Sequence, residues 1–255
     1  MRFPRASGVL LHPSSLPGPH GSGDCGPAAY QFVDWLVSAG QSLWQILPLN
    51  GIGAGNSPYA SNSAFAGNVL LVDLQELHQQ GWLNAAEVEP TPALLAQHVD
   101  FAEVVPYRMQ RLALAAQRFF AQPPSPEFES FCQRHAGWLE DYALFMALSE
   151  AHDFEQWCAW PEALARREPG ALSQARRQQA ERIAFWRFGQ WCFFRQWLEL
   201  KAYANQRGVQ IVGDVPIFIG HHSADVWSHQ VLFELGADGR PTVGAGVPPD
   251  FFSAT

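Results

Sequence analysis

A chain of 255 residues is long enough for one large domain or two small ones, and a core of that size holds without disulfide staples. The formal net charge of −8 argues against a nucleic-acid partner, whose phosphates would call for a basic face, and leaves a neutral substrate open. The four cysteines, Cys25, Cys132, Cys158 and Cys192, form no CxxC pair, which argues against a zinc site and for reduced thiols serving as small core hydrophobes.

Gly8–Leu11 predicts a short first strand, the one apolar run near the amino terminus. No signal peptide is read there and no stretch approaches the length of a membrane span, so a soluble, cytoplasmic protein is expected. The strand ends at His12-Pro13-Ser14-Ser15-Leu16-Pro17-Gly18-Pro19, where three prolines suit neither a strand nor a helix interior. A helix follows, capped by Asp24 or Gly26, with Pro27 in its first turn, Phe32, Val33, Leu36 and Val37 on one stripe, and Gly40 as terminator. Leu43–Leu49 reads as a second buried strand, so the chain begins a parallel β/α arrangement. In such an arrangement the loops after the carboxyl ends of the strands share one face, which places the loop at His12 beside the loop at Asn56–Asn68.

That second loop is unusual. Six glycines and prolines lie from Pro48 to Gly67, among small and hydroxyl-bearing residues and the aromatic Tyr59. A loop of nearly twenty residues inside a compact domain is uncommon unless it binds something or is disordered. Low in charge, it suits a neutral polyhydroxy ligand, although Asn, Ser and Gly clusters also make ordinary turns. Val69–Leu74 then reads as a third buried strand.

From Gln75 to about Ala184 the pattern becomes helical, with Tyr107–Ala121 and Phe128–His152 separated by the turn-rich Gln122–Pro126. Arg166, Arg167, Arg176, Arg177 and Arg182 are interleaved with Glu162, Glu168 and Glu181, the pattern of a solvated helix face rather than an anion site. Ile183–Asn205 predicts a long helix stopped by Gly208, whose Trp186, Trp191 and Trp197 are read as packing residues. Val209–Ile219 follows as a buried strand with Asp214 inside it. A buried carboxylate is costly unless paired, so Asp214 is either capped or ion-paired, or it points into a cleft. His221, His222 and His229 lie close in sequence but without a ligand spacing such as HExxH, and ordinary hydrogen bonding is the reading taken. Gly236–Pro241 reads as a turn.

Several of these stretches share one resemblance. NSPYASNSAFAGN, with WQILPL before it, resembles the signature of the amylomaltases, the 4-alpha-glucanotransferases or disproportionating enzymes of glycoside hydrolase family 77. HPSSLPGPHGSGD is similar to that family's first-strand motif, and Ala245–Thr255 resembles its mobile loop over the substrate groove, with Phe251 where members often have Tyr.

The resemblance implies an α/β fold: an incomplete (β/α)8 TIM barrel with a large helical insertion. Residues 1–74 would be the first part of the barrel, 75–184 the insertion, and 185–255 the continuation of the barrel. It implies transfer of α-1,4-glucan segments to an acceptor 4-hydroxyl by a retaining double displacement, with maltooligosaccharides and α-1,4-glucans as partners and no cofactor or metal. Ser57, Tyr59, Asp214, Asp250 and Phe251 would contact sugar. Asp214 would also support the reacting groups, and His12 and Gln45 are further candidate liners or packing residues. The family's nucleophile and acid/base are expected beyond Thr255, so the chain by itself is expected to be inactive, and poorly soluble or partner-dependent. Two alternatives stay open: a non-catalytic glucan-binding protein, which would bind maltooligosaccharides saturably, and a hydrolase of the amylase clan, which would release sugar without an acceptor.

Overall fold

The computed structural model describes residues 5–96 and 98–244. Three short strands, β1 (Gly8–Leu10), β2 (Leu43–Gln45) and β3 (Gln210–Val212), form one parallel sheet in the order β1-β2-β3. The register aligns Val9, Trp44 and Ile211, and their side chains turn to the covered face, with Trp44 fully buried. Leu10, Gln45 and Val212 alternate onto the other face and are exposed. The Trp44 indole N–H donates to the Leu11 carbonyl at 2.7 Å, tying the end of β1 to the middle of β2.

The first helix, α1 (Pro27–Ser38), begins after Gly26 with Pro27 in its first turn, and Gly40 beyond its end has a left-handed φ of 69°. Its buried face is Ala29, Val33 and Leu36, with Phe32 edge-on to Trp44. Val37, expected on the same stripe, is exposed.

Three strand expectations need correction. The second strand closes at Gln45 instead of Leu49: Ile46 still donates to the Val212 carbonyl at 3.0 Å, but Pro48 has no N–H to continue the ladder. Val69–Leu74 is no strand. Val69–Leu71 is a 3-10 turn capped by the Asn68 side chain, and Asp73 caps the short helix α2 (Leu74–Gln79). Its apolar residues are buried on every side, a state that periodicity cannot tell from a buried strand. The third correction concerns Val209–Ile219, where pairing covers only Gln210–Val212. Among the described residues no strand lies on the far side of β3, and Ile217 is 91% exposed. Asp214 is therefore exposed, and the burial cost that its apolar neighbours suggested does not arise.

Between β2 and β3 the described residues form no strand. After α2 come α3 (Phe101–Phe120), α4 (Pro126–Ala151), α5 (Glu162–Ala165), α6 (Pro169–Gln178) and α7 (Ala180–Gln206). Asp100 and Ser125 cap α3 and α4. The long helices end within a few residues of the sequence reading except at the start of α3, which includes Pro106. Trp82, Phe119, Phe188 and Trp191 meet with ring centroids 5.1 to 6.1 Å apart, at angles from tilted to edge-on. Trp186 and Trp191 are buried and Trp197 is half-buried, as their packing role requires. The arginine run is not merely solvated: Arg167 and Arg182 pair with Asp141 and Glu150 of α4. Past β3, the short helix α8 (Ala224–Ser228) starts at Ser223, and Gly236–Pro241 makes the expected turn.

A buried charge joins the helices to the loop after β1. Arg108 of α3 is fully buried and donates to the carbonyls of His20, Ser22 and Val72, and to Asp24 Oδ2 at 2.9 Å. The histidines near the carboxyl terminus serve as hydrogen-bonding residues. His221 meets Gln156 and the Gly239 carbonyl, His229 meets Ser228, and His222 Nδ1 accepts from the Trp157 backbone N–H at 3.1 Å.

Arg108→Met should destabilise the fold by about 3 to 5 kcal/mol, because Asp24 would be left as an unpaired buried charge. Urea denaturation measures this, and a loss under about 1 kcal/mol would contradict the assignment of Arg108 as the tie between α3 and the loop. A second expectation concerns pH. Burial lowers His12 and His222 from 6.5 to about 4. As pH falls, the unfolded chain takes up these two protons first, so the stability they carry is full above about 6.5 and is lost toward 4. Asp73 opposes this with one group: burial, then the charge of Asp24, raises its carboxyl from 3.8 to about 6, so its contribution is lost as pH rises through that value. Ring resonances of His12 and His222 followed by NMR should show midpoints near 4; ordinary midpoints for both would refute the burial argument.

Candidate functional site

Because β1, β2 and β3 are parallel, the segments that leave their carboxyl ends emerge on one side of the sheet. The segment after β2 is the glycine-rich loop. Its neck is closed by a bridge between Asn50 and Gly67, by the Asn50 side chain donating to the Ser63 and Ala66 carbonyls, and by Asn68 N–H donating to Leu49. Two glycines are required by close approach. A Cβ on Gly53 would lie 1.6 Å from the Ala60 carbonyl oxygen, and one on Gly67 would lie 2.0 Å from the Phe193 ring.

Helix α7 holds the loop from beneath. Gln190, fully buried, accepts from Gly67 N–H and donates to Gly67 C=O, both at 2.8 Å. Six residues on, Gln196 does the same for Asp73, at 2.7 and 3.2 Å. From the other side, Asp225 Oδ2 accepts from Ala64 N–H at 3.1 Å, and Ala224 N–H donates to the Asn62 carbonyl at 2.8 Å. Sequence reasoning missed these three side chains. The available signal was two glutamines in an aromatic-rich helix, six residues apart, matching Gly67 and Asp73 six residues apart.

The tip of the loop carries Tyr59, 44% exposed, whose hydroxyl donates to Asp214 Oδ2 at 2.7 Å. This hydrogen bond to a carboxylate holds the Tyr59 phenol above its ordinary range. Asp214 Oδ1 accepts from Val215 N–H at 2.8 Å, which fixes the carboxylate on the segment just after β3. Ser57 is half-buried, and its Oγ accepts from Tyr59 N–H at 3.2 Å, shaping the turn that presents the ring. The structure thus links Ser57 to Tyr59 and Tyr59 to Asp214, residues 155 positions apart in the last pair. Asp250 and Phe251 lie outside the described residues.

His12 is buried at the end of β1, near the Leu47 backbone, and its Nδ1 has no partner among the described residues. Gln45 is exposed on the open face of the sheet. Chemically the assembly offers an aromatic ring, a phenol hydroxyl and an exposed carboxylate with acceptor capacity to spare, a set that fits hydroxyl groups on a neutral molecule. Among the described residues no group of three or more His, Cys, Asp or Glu side chains is placed to hold a metal, and no helix is long and apolar enough to cross a membrane.

Known proteins place this architecture. The 4-alpha-glucanotransferase of Thermus thermophilus is 48% identical over the whole chain, and that of Synechocystis is 45% identical over 98% of it. The chain spans about half the length of these relatives, 51% and 50% respectively. The amylomaltase of Streptococcus agalactiae, solved in complex with acarbose, superposes on 98% of the chain with a TM-score of 0.92 at 40% identity, again over 51% of its own length. A sequence profile described as 4-alpha-glucanotransferase matches residues 11–255, and the chain belongs to that family, glycoside hydrolase family 77.

Proposed function

We propose that this chain works in a 4-alpha-glucanotransferase and forms part of its donor-glucan site, and the Tyr59–Asp214 hydrogen bond between neighbouring loops carries the reading. In this reading the three strands are part of a (β/α)8 barrel. Residues 1–74 and 185–255 contribute to the barrel, and 75–184 form a helical insertion beside the cleft. The outer edges of β1 and β3, unpaired among the described residues, and the exposed face with Leu10 and Val212 support it, because an open parallel sheet is normally covered.

Ser57 would hydrogen-bond sugar hydroxyls, Tyr59 would stack its ring on a glucose and present its hydroxyl, and Asp214 would accept from hydroxyls at the cleavage point. Asp250 and Phe251 would close over the groove. The reaction is a retaining double displacement: a carboxylate attacks the anomeric carbon while a second carboxyl group protonates the departing glycosidic oxygen. The covalent glucosyl-enzyme is then resolved by an acceptor 4-hydroxyl in place of water. Asp214 has a supporting part, and the attacking and proton-donating groups are assigned outside residues 1–255. In this reading the enzyme is cytoplasmic, uses no cofactor and acts on maltooligosaccharides, and the low charge of the loop suits such a neutral substrate.

Calorimetric titration of maltoheptaose into the protein should give saturable binding. Tyr59→Ala should weaken it about tenfold through loss of the ring, and Tyr59→Phe about threefold, since only the hydroxyl is removed. Unchanged affinity in Tyr59→Ala would refute the placement. Maltotriose incubated with the chain alone should yield no glucose; glucose release would refute the assignment of the reacting groups outside this chain.

A further inference from the structure

Phe65 is an apolar ring in a polar loop, 58% exposed, on backbone that is held in place by hydrogen bonds. Ser63 Oγ accepts from the N–H groups of Phe65 and Ala66 at 3.1 and 3.3 Å, and Asp225 Oδ2 accepts from Ala64 N–H just before them. Its ring partner among the described residues is Trp138 of α4, nearly parallel at 19° with centroids 6.4 Å apart. Trp138 is half-buried, and its indole N–H donates to His135 Nδ1 at 3.3 Å, so that ring too has a fixed orientation. The two rings line a cavity of about 240 Å3 that includes none of Ser57, Tyr59 and Asp214. This volume falls just below the range of drug-sized pockets and suits a single ring.

The helix that forms one wall leaves its backbone bare there. Gly137 lies inside α4, where glycine is among the weakest helix formers, and a Cβ built on it would meet nothing within 4 Å. Packing therefore does not require glycine at this position, and its effect is to let a ligand approach the helix beside Trp138. The polar groups on the same cavity keep capacity to spare. Asp225 Oδ1 and Asp141 Oδ2 have no partner among the described residues, the other oxygen of each being bonded to Ala64 N–H and to Arg167. His229 is exposed, and its Nδ1 meets Ser228 Oγ at 2.7 Å, which leaves Nε2 to donate or accept.

This combination selects a ligand. A cation would find the Asp141 carboxylate already matched by Arg167 at 2.8 Å and approached by Arg176 at 3.8 Å. A wholly apolar ring would take water from Asp225, Asp141 and His229 without replacing it. A pyranose meets both demands, since its C–H face lies well against aromatic rings and its edge carries hydroxyls that donate to carboxylates. We propose that the cavity is a surface site for one glucose ring of a neutral glucan, seated on Phe65 and Trp138 with its hydroxyls on Asp225, Asp141 and His229. It rests on the glucan reading and adds a contact for glucan that does not use the Tyr59–Asp214 pair.

The test uses maltose as the probe and choline as the cationic comparison. Protein carrying 15N-labelled tryptophan is titrated with each, and the Trp138 indole N–H is identified by its loss in Trp138→Phe. Maltose should shift that resonance saturably, and Phe65→Ala should raise the concentration needed about tenfold through loss of the ring. Gly137→Leu should fill the space beside Trp138 and abolish the shift, while its urea midpoint stays at or above that of the unaltered protein, because leucine favours helix. Tyr59→Ala should leave the shift unchanged. The proposal is overturned by absence of a saturable shift with maltose, by choline saturating the resonance at lower concentration, by equal affinity in Phe65→Ala, or by an undiminished shift in Gly137→Leu. Loss of the shift in Tyr59→Ala overturns it too, since the resonance would then report the donor site. Calorimetric binding of maltoheptaose that depends on Tyr59, without any Trp138 shift, sinks this site and leaves the donor reading standing. A Trp138 shift alongside calorimetric binding indifferent to Tyr59 sinks the donor reading alone. Should Phe65→Ala not fold, Gly137→Leu decides by itself.

Discussion

Two buried glutamine amides on α7 set the geometry on which the glycine-rich loop depends. Gln190 and Gln196 each offer one acceptor and one donor to the backbone of a single residue, Gly67 and Asp73, as a neighbouring strand would. Six residues of helix advance about 9 Å. Six residues of extended strand would span about 20 Å, so the chain from Gly67 to Asp73 can meet both glutamines only if it shortens. It does so through the 3-10 turn at Val69–Leu71. The clamp thus accounts both for the exit of the loop and for the absence of a strand where the apolar run suggested one.

Buried charge performs the same service for the loop after β1. Arg108 reaches from α3 to three carbonyls and one carboxylate, each on the chain around His20, Asp24 and Val72. Gly26 separates Asp24 from Asp73 so closely that a Cβ there would lie 2.8 Å from atoms of both carboxyl groups. Burial, and after it the nearby charge of Asp24, makes the Asp73 carboxyl hold its proton more tightly than an ordinary aspartate does. A buried ion pair of this kind is weak evidence for net stability, but it fixes which segments meet, because only one arrangement satisfies every group. The helical region is therefore joined to the strand loops through polar bonds as well as through its aromatic core.

The long helices were legible because caps, prolines and apolar stripes act locally. Pro27 marks a start, and Gly40 and Gly208 follow ends, as ring geometry and backbone freedom dictate, whereas the caps Asp100 and Ser125 went unread and the start of α3 was misplaced with the first of them. The short strands were legible in place but not in extent. Where a strand stops depends on its neighbours, and neither Pro48 nor the open side of β3 can be weighed from an apolar run alone. Asp214 shows the limit most clearly: its apolar neighbours suggested burial, whereas Val215, Ile217 and Phe218 are all exposed. For the site, the stretch carrying Ser57 and Tyr59 stood out by composition, and Asp214 by its charge. Gln190, Gln196 and Asp225 did not, since a glutamine in a helix or an aspartate after a serine cap is unremarkable until its tertiary partner is known.

The exposure of Asp214 changes what its carboxylate can do. A buried aspartate would need every lone pair matched by protein and would have little left for a ligand. In this structure Oδ2 accepts from Tyr59 and Oδ1 from Val215, one bond to each oxygen, while a carboxylate has about four acceptor positions in all. The remaining positions can take hydroxyl donors without breaking either bond. Tyr59 in turn is held by a partner across the loop gap, so its ring is oriented before a ligand arrives and less freedom is lost on binding. The tyrosine positions the acid and the acid positions the tyrosine, and the glutamines of α7 hold the loop that brings them together.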